Sequence, residues 1–284
     1  MPKKARLLHP EYFAQVPFKG KVLKDEFEKH STESESAPAA AHDITVAIRT
    51  LNEAAALKIL LEDIRAQQTK GSIEIVIVDN ESTDETVQVA ESFGAKVVTL
   101  ERDSFTYPKS MNLALEAATN EYVFLTVGHA KLVSTNSLQA GLNELSQPNV
   151  TAVFGHALPG TPISWVERLI AMGNIHFARR RIVTKPELGF MAATGLMLRK
   201  SVWQELGGFD ERYEVGGEDG ALGALMLKKG YTIIDSPMVN THHTHGLGLI
   251  KTVKQWIGWV RSSKPRGLNR KKLVRNRPHL RLKD

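Results

Sequence analysis

Along residues 43–128 the apolar positions switch repeatedly between a strand period and a helical period. Ile44–Ile48 reads as a short β-rich run, and Ile73–Val78 as a strand buried on both faces. Between them, Glu53–Gln68 places Leu57, Leu60, Leu61 and Ile64 on one helical face, with Asn52 positioned to cap it. The pattern then predicts a helix over Asp84–Phe93, a strand over Lys96–Leu100, a proline-started helix over Pro108–Ala118 and a strand over Tyr122–Val127. Strands separated by helices of crossover length predict an α/β fold, a mainly parallel sheet covered on both faces. Ligands of such sheets gather at the carboxyl ends of the strands. The positions to inspect are therefore Arg49-Thr50-Leu51-Asn52-Glu53, Asp79-Asn80-Glu81-Ser82-Thr83-Asp84 and Gly128-His129-Ala130, all polar or small, which together describe a nucleotide pocket.

A second feature lies downstream. Gly216-Gly217-Glu218-Asp219 brings two adjacent carboxylates to a glycine-loosened helix start. One can act as a general base while the other binds an acceptor hydroxyl; acidic residues at helix starts also simply offset the positive end of the dipole.

Composition narrows the field. The 284 residues, 42% of them hydrophobic, suffice for one large domain with extensions. The absence of cysteine excludes disulfides, thiolate zinc sites and cysteine nucleophiles, and fits a cytoplasmic protein. No run approaches the ~18 apolar residues of a membrane span, and Met1-Pro2-Lys3-Lys4 has no apolar stretch behind it, so no secretory signal is expected. Residues 1–42, with the small polar stretch Ser31–Ala41, read as an extension; the domain is expected over 43–248, and an amphipathic helix with a basic tail over 249–284. In that last segment Ile250, Val253, Trp256, Ile257 and Val260 form an apolar stripe, and ten Lys/Arg follow between Arg261 and Lys283 with no acidic residue. The stripe either packs on its own domain or, with the tail, lies peripherally on the inner face of a membrane. The tail can also touch nucleic acid nonspecifically; no specific nucleic-acid partner is expected.

Taken in order, Thr50-Leu51-Asn52-Glu53, Val78-Asp79-Asn80-Glu81-Ser82-Thr83-Asp84, Met111-Asn112-Leu113-Ala114, Gly195–Arg199, Leu206-Gly207-Gly208-Phe209-Asp210, Gly217-Glu218-Asp219 and Lys229-Gly230-Tyr231 resemble the family 2 glycosyltransferases of GT-A fold. No G-x-G-x-x-G follows the first strand, which disfavours a dinucleotide-dependent dehydrogenase. The resemblance implies a nucleoside-diphosphate sugar donor, UDP- or dTDP-type, and a glycan or lipid-linked acceptor. Thr50, Asn52 and Glu53 would lie along the nucleoside and Asp79 would accept from the base imide N–H. Ser82 and Asp84 would shape that loop, while Asn112 and Gly128 would line the donor site. Asp219 would be the general base of an inverting transfer and Glu218 would hold the acceptor. Asp103–Pro108 with Gly128-His129 is most similar to bacterial rhamnosyltransferase-type members.

One piece departs from the family. Where an Asp-x-Asp would hold a divalent ion, this chain has Val127-Gly128-His129. Either His129 with a histidine of His242-His243-Thr244-His245 (His243 and His245 foremost) holds the ion, or no metal is used and Lys, Arg or His offsets the leaving-group charge. Imidazole donors suit Mn²⁺ better than Mg²⁺. The departure also admits a catalytically silent nucleotide-sugar-binding protein. The stretch Ile163–Ile182, ending in Arg179-Arg180-Arg181, reads as an amphipathic helix inserted before the acceptor half.

Overall fold

The computed structural model describes residues 6–9, 41–158, 160, 164–165, 179–186, 190–213, 216–243, 245, 249–251, 253–254 and 257. Its elements follow the sequence pattern closely: β1 (Ile44–Thr50), α1 (Ala54–Arg65), β2 (Ile73–Asp79), α2 (Thr86–Ser92), β3 (Lys96–Thr99), α3 (Tyr107–Ala117) and β4 (Tyr122–Val127). There follow β5 (Lys131–Leu132), α4 (Ser137–Leu145), β6 (Val150–Phe154), β7 (Ala157–Leu158), β8 (Arg181–Val183), β9 (Leu196–Arg199), α5 (Lys200–Glu205), α6 (Glu218–Lys228), β10 (Thr232–Asp235) and β11 (Thr241–His242).

The main sheet runs β3-β2-β1-β4-β9-β6-β10-β8. Its first half is parallel and puts Thr50 level with Asp79, and Arg49 level with Val78 and Val127. Strand β9 runs antiparallel to both β4 and β6. Both faces of the sheet are buried, and the two-residue period sorts side chains between them. Ile44, Val46 and Ile48 join Leu57, Leu60, Leu61 and Ile64 of α1, whereas Ala47 and Val78 join Met111 and Leu115 of α3, Leu222 and Met226 of α6, and Trp203. A small second sheet, β5-β11-β7, pairs His242 with Lys131 and so carries residue 243 up to the loop after β4.

Several expectations change. Asn52 does not cap α1: it sits at φ 52°, and the residue before the helix is Glu53, whose side chain makes no capping bond. The backbone N–H groups of Glu53 and Ala54 are met instead from the neighbouring loop, by the Thr86 hydroxyl at 2.9 Å and Asp84 at 3.3 Å. Part of the extension docks on the domain, since Leu8 N donates to Val133 O at 2.9 Å and His9 meets the Asp63 carboxylate. Most of Ile163–Ile182 lies outside the described residues. Its end, however, is strand β8 rather than helix, and Arg181 pairs there with buried Asp235 at 2.9 Å. Of the stripe expected over 250–260, Ile250, Val253 and Ile257 are exposed, while Trp256 and Val260 lie outside the described residues. Among the described residues no helix is long and apolar enough to cross a membrane.

Candidate active site

Asp79 ends β2 with 2% of its surface exposed. One carboxylate oxygen accepts from Ser82 N at 2.9 Å and shapes the turn; the other, Oδ1, is buried without a hydrogen-bond partner. An orphaned buried acceptor costs about 1–3 kcal/mol, which an imide N–H from a ligand would recover. Two contacts staple the β1 and β2 loops together: Asn52 N donates to the Ser82 hydroxyl at 2.8 Å, and Thr83 N donates to Asn52 Oδ1 at 2.7 Å. Asn52 and Ser82 thus hold the loop rather than face an open pocket.

The polar groups expected along the nucleoside are engaged otherwise. The Thr50 hydroxyl donates to one Glu53 oxygen at 3.0 Å, and the other Glu53 oxygen lies 2.6 Å from His129 Nδ1. Gly128 makes the arrangement possible, because a Cβ there would stand 2.6 Å from the Thr50 hydroxyl and collide with the Glu53 carboxylate as well. His129 Nε2 in turn lies 2.8 Å from His243 Nε2. With the Nδ1 proton of His129 directed at Glu53, its Nε2 lone pair faces the other imidazoles. Burial first, then His129, His245 and Arg49, hold the pKa of half-buried His243 well below the ordinary histidine range, so it is neutral and a donor. His129, His243 and His245 bring ligand nitrogens within 4.8 Å of one another. His242 alternates away on β11, buried, with its ring edge-on to His9 at 6.3 Å between centroids. A carboxylate-oriented set of imidazoles fits Co²⁺ or Zn²⁺ best, and Mn²⁺ ahead of Mg²⁺.

Asn112, expected to line the donor site, is fully buried in the core. Its amide donates to Phe209 O and Glu211, both at 2.9 Å, and its oxygen accepts from Phe209 N at 2.8 Å and the Trp203 indole at 3.2 Å. With these groups spent, Asn112 is a strut that positions the Leu206–Asp210 turn.

The acidic pair sits on the same side of the sheet. Gly216 and Gly217, at φ 93° and 101°, make a turn that side chains would strain, and α6 begins at Glu218. Burial, then the neighbouring Asp219 charge, pushes Glu218 up to about 7, and its Oε2 is buried without a partner. Burial raises Asp219 to about 6 against the N–H groups of Gly220 and Ala193, which bond it at 2.7 and 3.3 Å. Arg49 lowers both. It leaves β1 on the α3/α6 face, its guanidinium 3.9 Å from the centre of the Tyr107 ring. The β1 motif lists Arg49 only as a polar strand end; its bearing on the acidic pair depends on α6, more than 160 residues away.

Residues 45–207, more than half of the chain, match the family model described as glycosyl transferase family 2. The chain belongs to that family. Among curated proteins it is 27% identical over 187 residues to the O-antigen chain rhamnosyltransferase WbaN of Salmonella anatum, covering 63% of this chain and 59% of WbaN. It is also 27% identical over 216 residues to the O-antigen chain rhamnosyltransferase RfbN of Salmonella typhimurium, covering 71% of this chain and 66% of RfbN. It therefore spans only about three fifths to two thirds of these relatives. The mannosyltransferase PcManGT of Pyrobaculum calidifontis, solved with GDP-Man and Mn²⁺, shares the fold at TM-score 0.53 and 21% identity, over 83% of this chain and 68% of that one. S. aureus TarS 1-349 with UDP-GlcNAc does so at TM-score 0.55 and 19% identity, over 72% and 59%.

Proposed function

We propose that this chain is an inverting glycosyltransferase that moves a sugar from a pyrimidine nucleoside diphosphate to a hydroxyl of a glycan or lipid-linked acceptor. The observation that carries this reading is the Glu218–Asp219 pair, a buried and a half-buried carboxylate both held above their usual range, on a sheet whose carboxyl edge carries Asp79 with its unpartnered oxygen. Perturbed acids in such a place suit proton transfer. The two O-antigen rhamnosyltransferases favour rhamnosyl as the transferred group, and the unpartnered Asp79 oxygen, suited to an imide N–H, supports a deoxythymidine or uridine diphosphate as carrier.

In this reading Asp79 Oδ1 accepts from the base imide. The acceptor hydroxyl attacks the anomeric carbon opposite the diphosphate and gives its proton to Asp219. The bond to the diphosphate oxygen breaks with its electron pair, and the centre inverts. Glu218 holds the acceptor by a hydrogen bond. His129, His243 and His245 would hold a divalent ion, whose chemistry there would be to offset the negative charge of the departing diphosphate. Glu53 orients His129, and Asn52 with Ser82 holds the base loop.

A thermal-shift panel of uridine, thymidine, guanosine and cytidine diphosphates, each with and without Mn²⁺, tests the assignment. Uridine or thymidine diphosphate should raise the midpoint most, and Mn²⁺ should enlarge the shift; a ligand at one hundred times its Kd adds about 2.7 kcal/mol to stability. If neither pyrimidine diphosphate shifts the midpoint, or the guanosine compound does so more strongly, the donor assignment fails.

The exposed stripe Ile250, Val253 and Ile257, interleaved with Lys251 and Lys254 and followed by the basic tail, supports peripheral contact with an anionic membrane. The full chain should sediment with vesicles containing phosphatidylglycerol and remain free with phosphatidylcholine alone. Equal recovery with both would remove this part of the proposal.

A further inference from the structure

We propose that Arg49 grips the donor's diphosphate, an assignment that rests on the transferase reading and adds a binding residue to it. Arg49 belongs to the central strand, one step inside Thr50 and level with Val78 and Val127. The position is costly for a cation: burial lowers its pKa, while Tyr107, Glu218, Asp219 and Glu53 offset the loss. Even so, its Nη1 is buried and makes no hydrogen bond. A structural arginine in such a place would be expected to spend its planar fork on carboxylates or carbonyls. This one is held from the side by Tyr107 at 3.9 Å, which fixes the plane while leaving a donor edge unused.

Its surroundings define the ligand. Arg49 leaves β1 on the face that α6 covers, and its charge acts on both the acidic pair and His243. Asp79, on the adjacent strand, lies one residue further toward the carboxyl edge. A donor with its base at Asp79 and its reactive carbon toward Asp219 must pass its diphosphate through that interval. A guanidinium fork matches phosphate oxygens in geometry and charge, and retains its charge at any working pH. Glu53 is held by His129 at 2.6 Å and by the Thr50 hydroxyl at 3.0 Å, so it reaches Arg49 through its charge and not through a hydrogen bond.

Titration calorimetry of the full chain with uridine, thymidine and their diphosphates, in EDTA and in Mn²⁺, tests the assignment. For R49Q we expect diphosphate affinity to fall about 10- to 100-fold in both media with nucleoside affinity unchanged, and for R49K an intermediate loss, because lysine keeps the charge without the fork. If wild type binds the diphosphates and both variants bind them equally well, the Arg49 assignment is overturned while the transferase reading stands. Parallel loss of nucleoside and diphosphate binding marks Arg49 as structural and overturns the assignment too, as does an effect that vanishes in EDTA. If wild type binds no nucleoside diphosphate in either medium, the transferase reading itself fails.

Discussion

Asp219→Asn should leave nucleoside diphosphate affinity within error of wild type and lower turnover by about 10²–10⁴-fold, the usual worth of a positioned general base. The side chain keeps its size and, with its one oxygen toward Gly220, retains the 2.7 Å bond while giving up only the long one from Ala193 at 3.3 Å, so the loss chiefly reports the missing proton acceptor. In the wild-type protein the rate should rise as the pH climbs through about 6 to 7, where Asp219 and Glu218 titrate as a pair, and level off above. Radiolabelled donor transfer across that range reads both effects. A variant as active as wild type, or a rate indifferent to pH there, would sink the base assignment. If neither wild type nor variant transfers or hydrolyses donor with Mn²⁺ or Mg²⁺, a silent nucleotide-sugar-binding protein is the better reading.

The same shifts run the other way for stability. Both carboxyls titrate higher in the folded chain than their ordinary values of 4.5 and 3.8, so they favour folding below those values and lose that contribution as pH rises toward 6 and 7. The site is most competent where these acids support the fold least.

The second large effect is at the histidines. His243→Ala should abolish saturable Mn²⁺ binding, followed by manganese paramagnetic resonance, and reduce metal-stimulated transfer by about 10²-fold or more, since a bound ion contributes several kcal/mol to a departing diphosphate. Glu53→Gln should weaken the ion by about 10- to 100-fold without removing a ligand, the usual loss when an orienting carboxylate is taken away. Mn²⁺ binding at full strength in His243→Ala would refute the imidazole cluster as the ion's seat.

Legibility in the sequence followed the range of the interactions. The strands and helices from β1 to β4, the Asp79 position and the Glu218–Asp219 helix start rest on local period and local punctuation, and the structure holds them within a few residues of the expected bounds. What changed depends on partners far along the chain. Asn112 is a strut because Trp203 and Phe209 come back to it, and Glu53 is taken from the nucleoside because Gly128 makes room for His129 behind it. His243 rather than His242 joins the cluster because the two-residue alternation of β11 and its pairing with β5 decide which imidazole turns inward. No local pattern contains the register between two dipeptide strands more than a hundred residues apart. The β8 strand was hidden for a similar reason: Arg181 is straightened by buried Asp235 and not by its own neighbours.

Gly128 also bears on how such a site can change. Any side chain there would drive its first carbon into Thr50 and displace Glu53, unhooking the imidazole that Glu53 steadies. Position 128 is therefore tied to its neighbours: the oriented imidazole survives only while residue 128 has no side chain. A lineage that enlarged residue 128 would have to exchange residues 50 and 53 with it or give up the steadied His129.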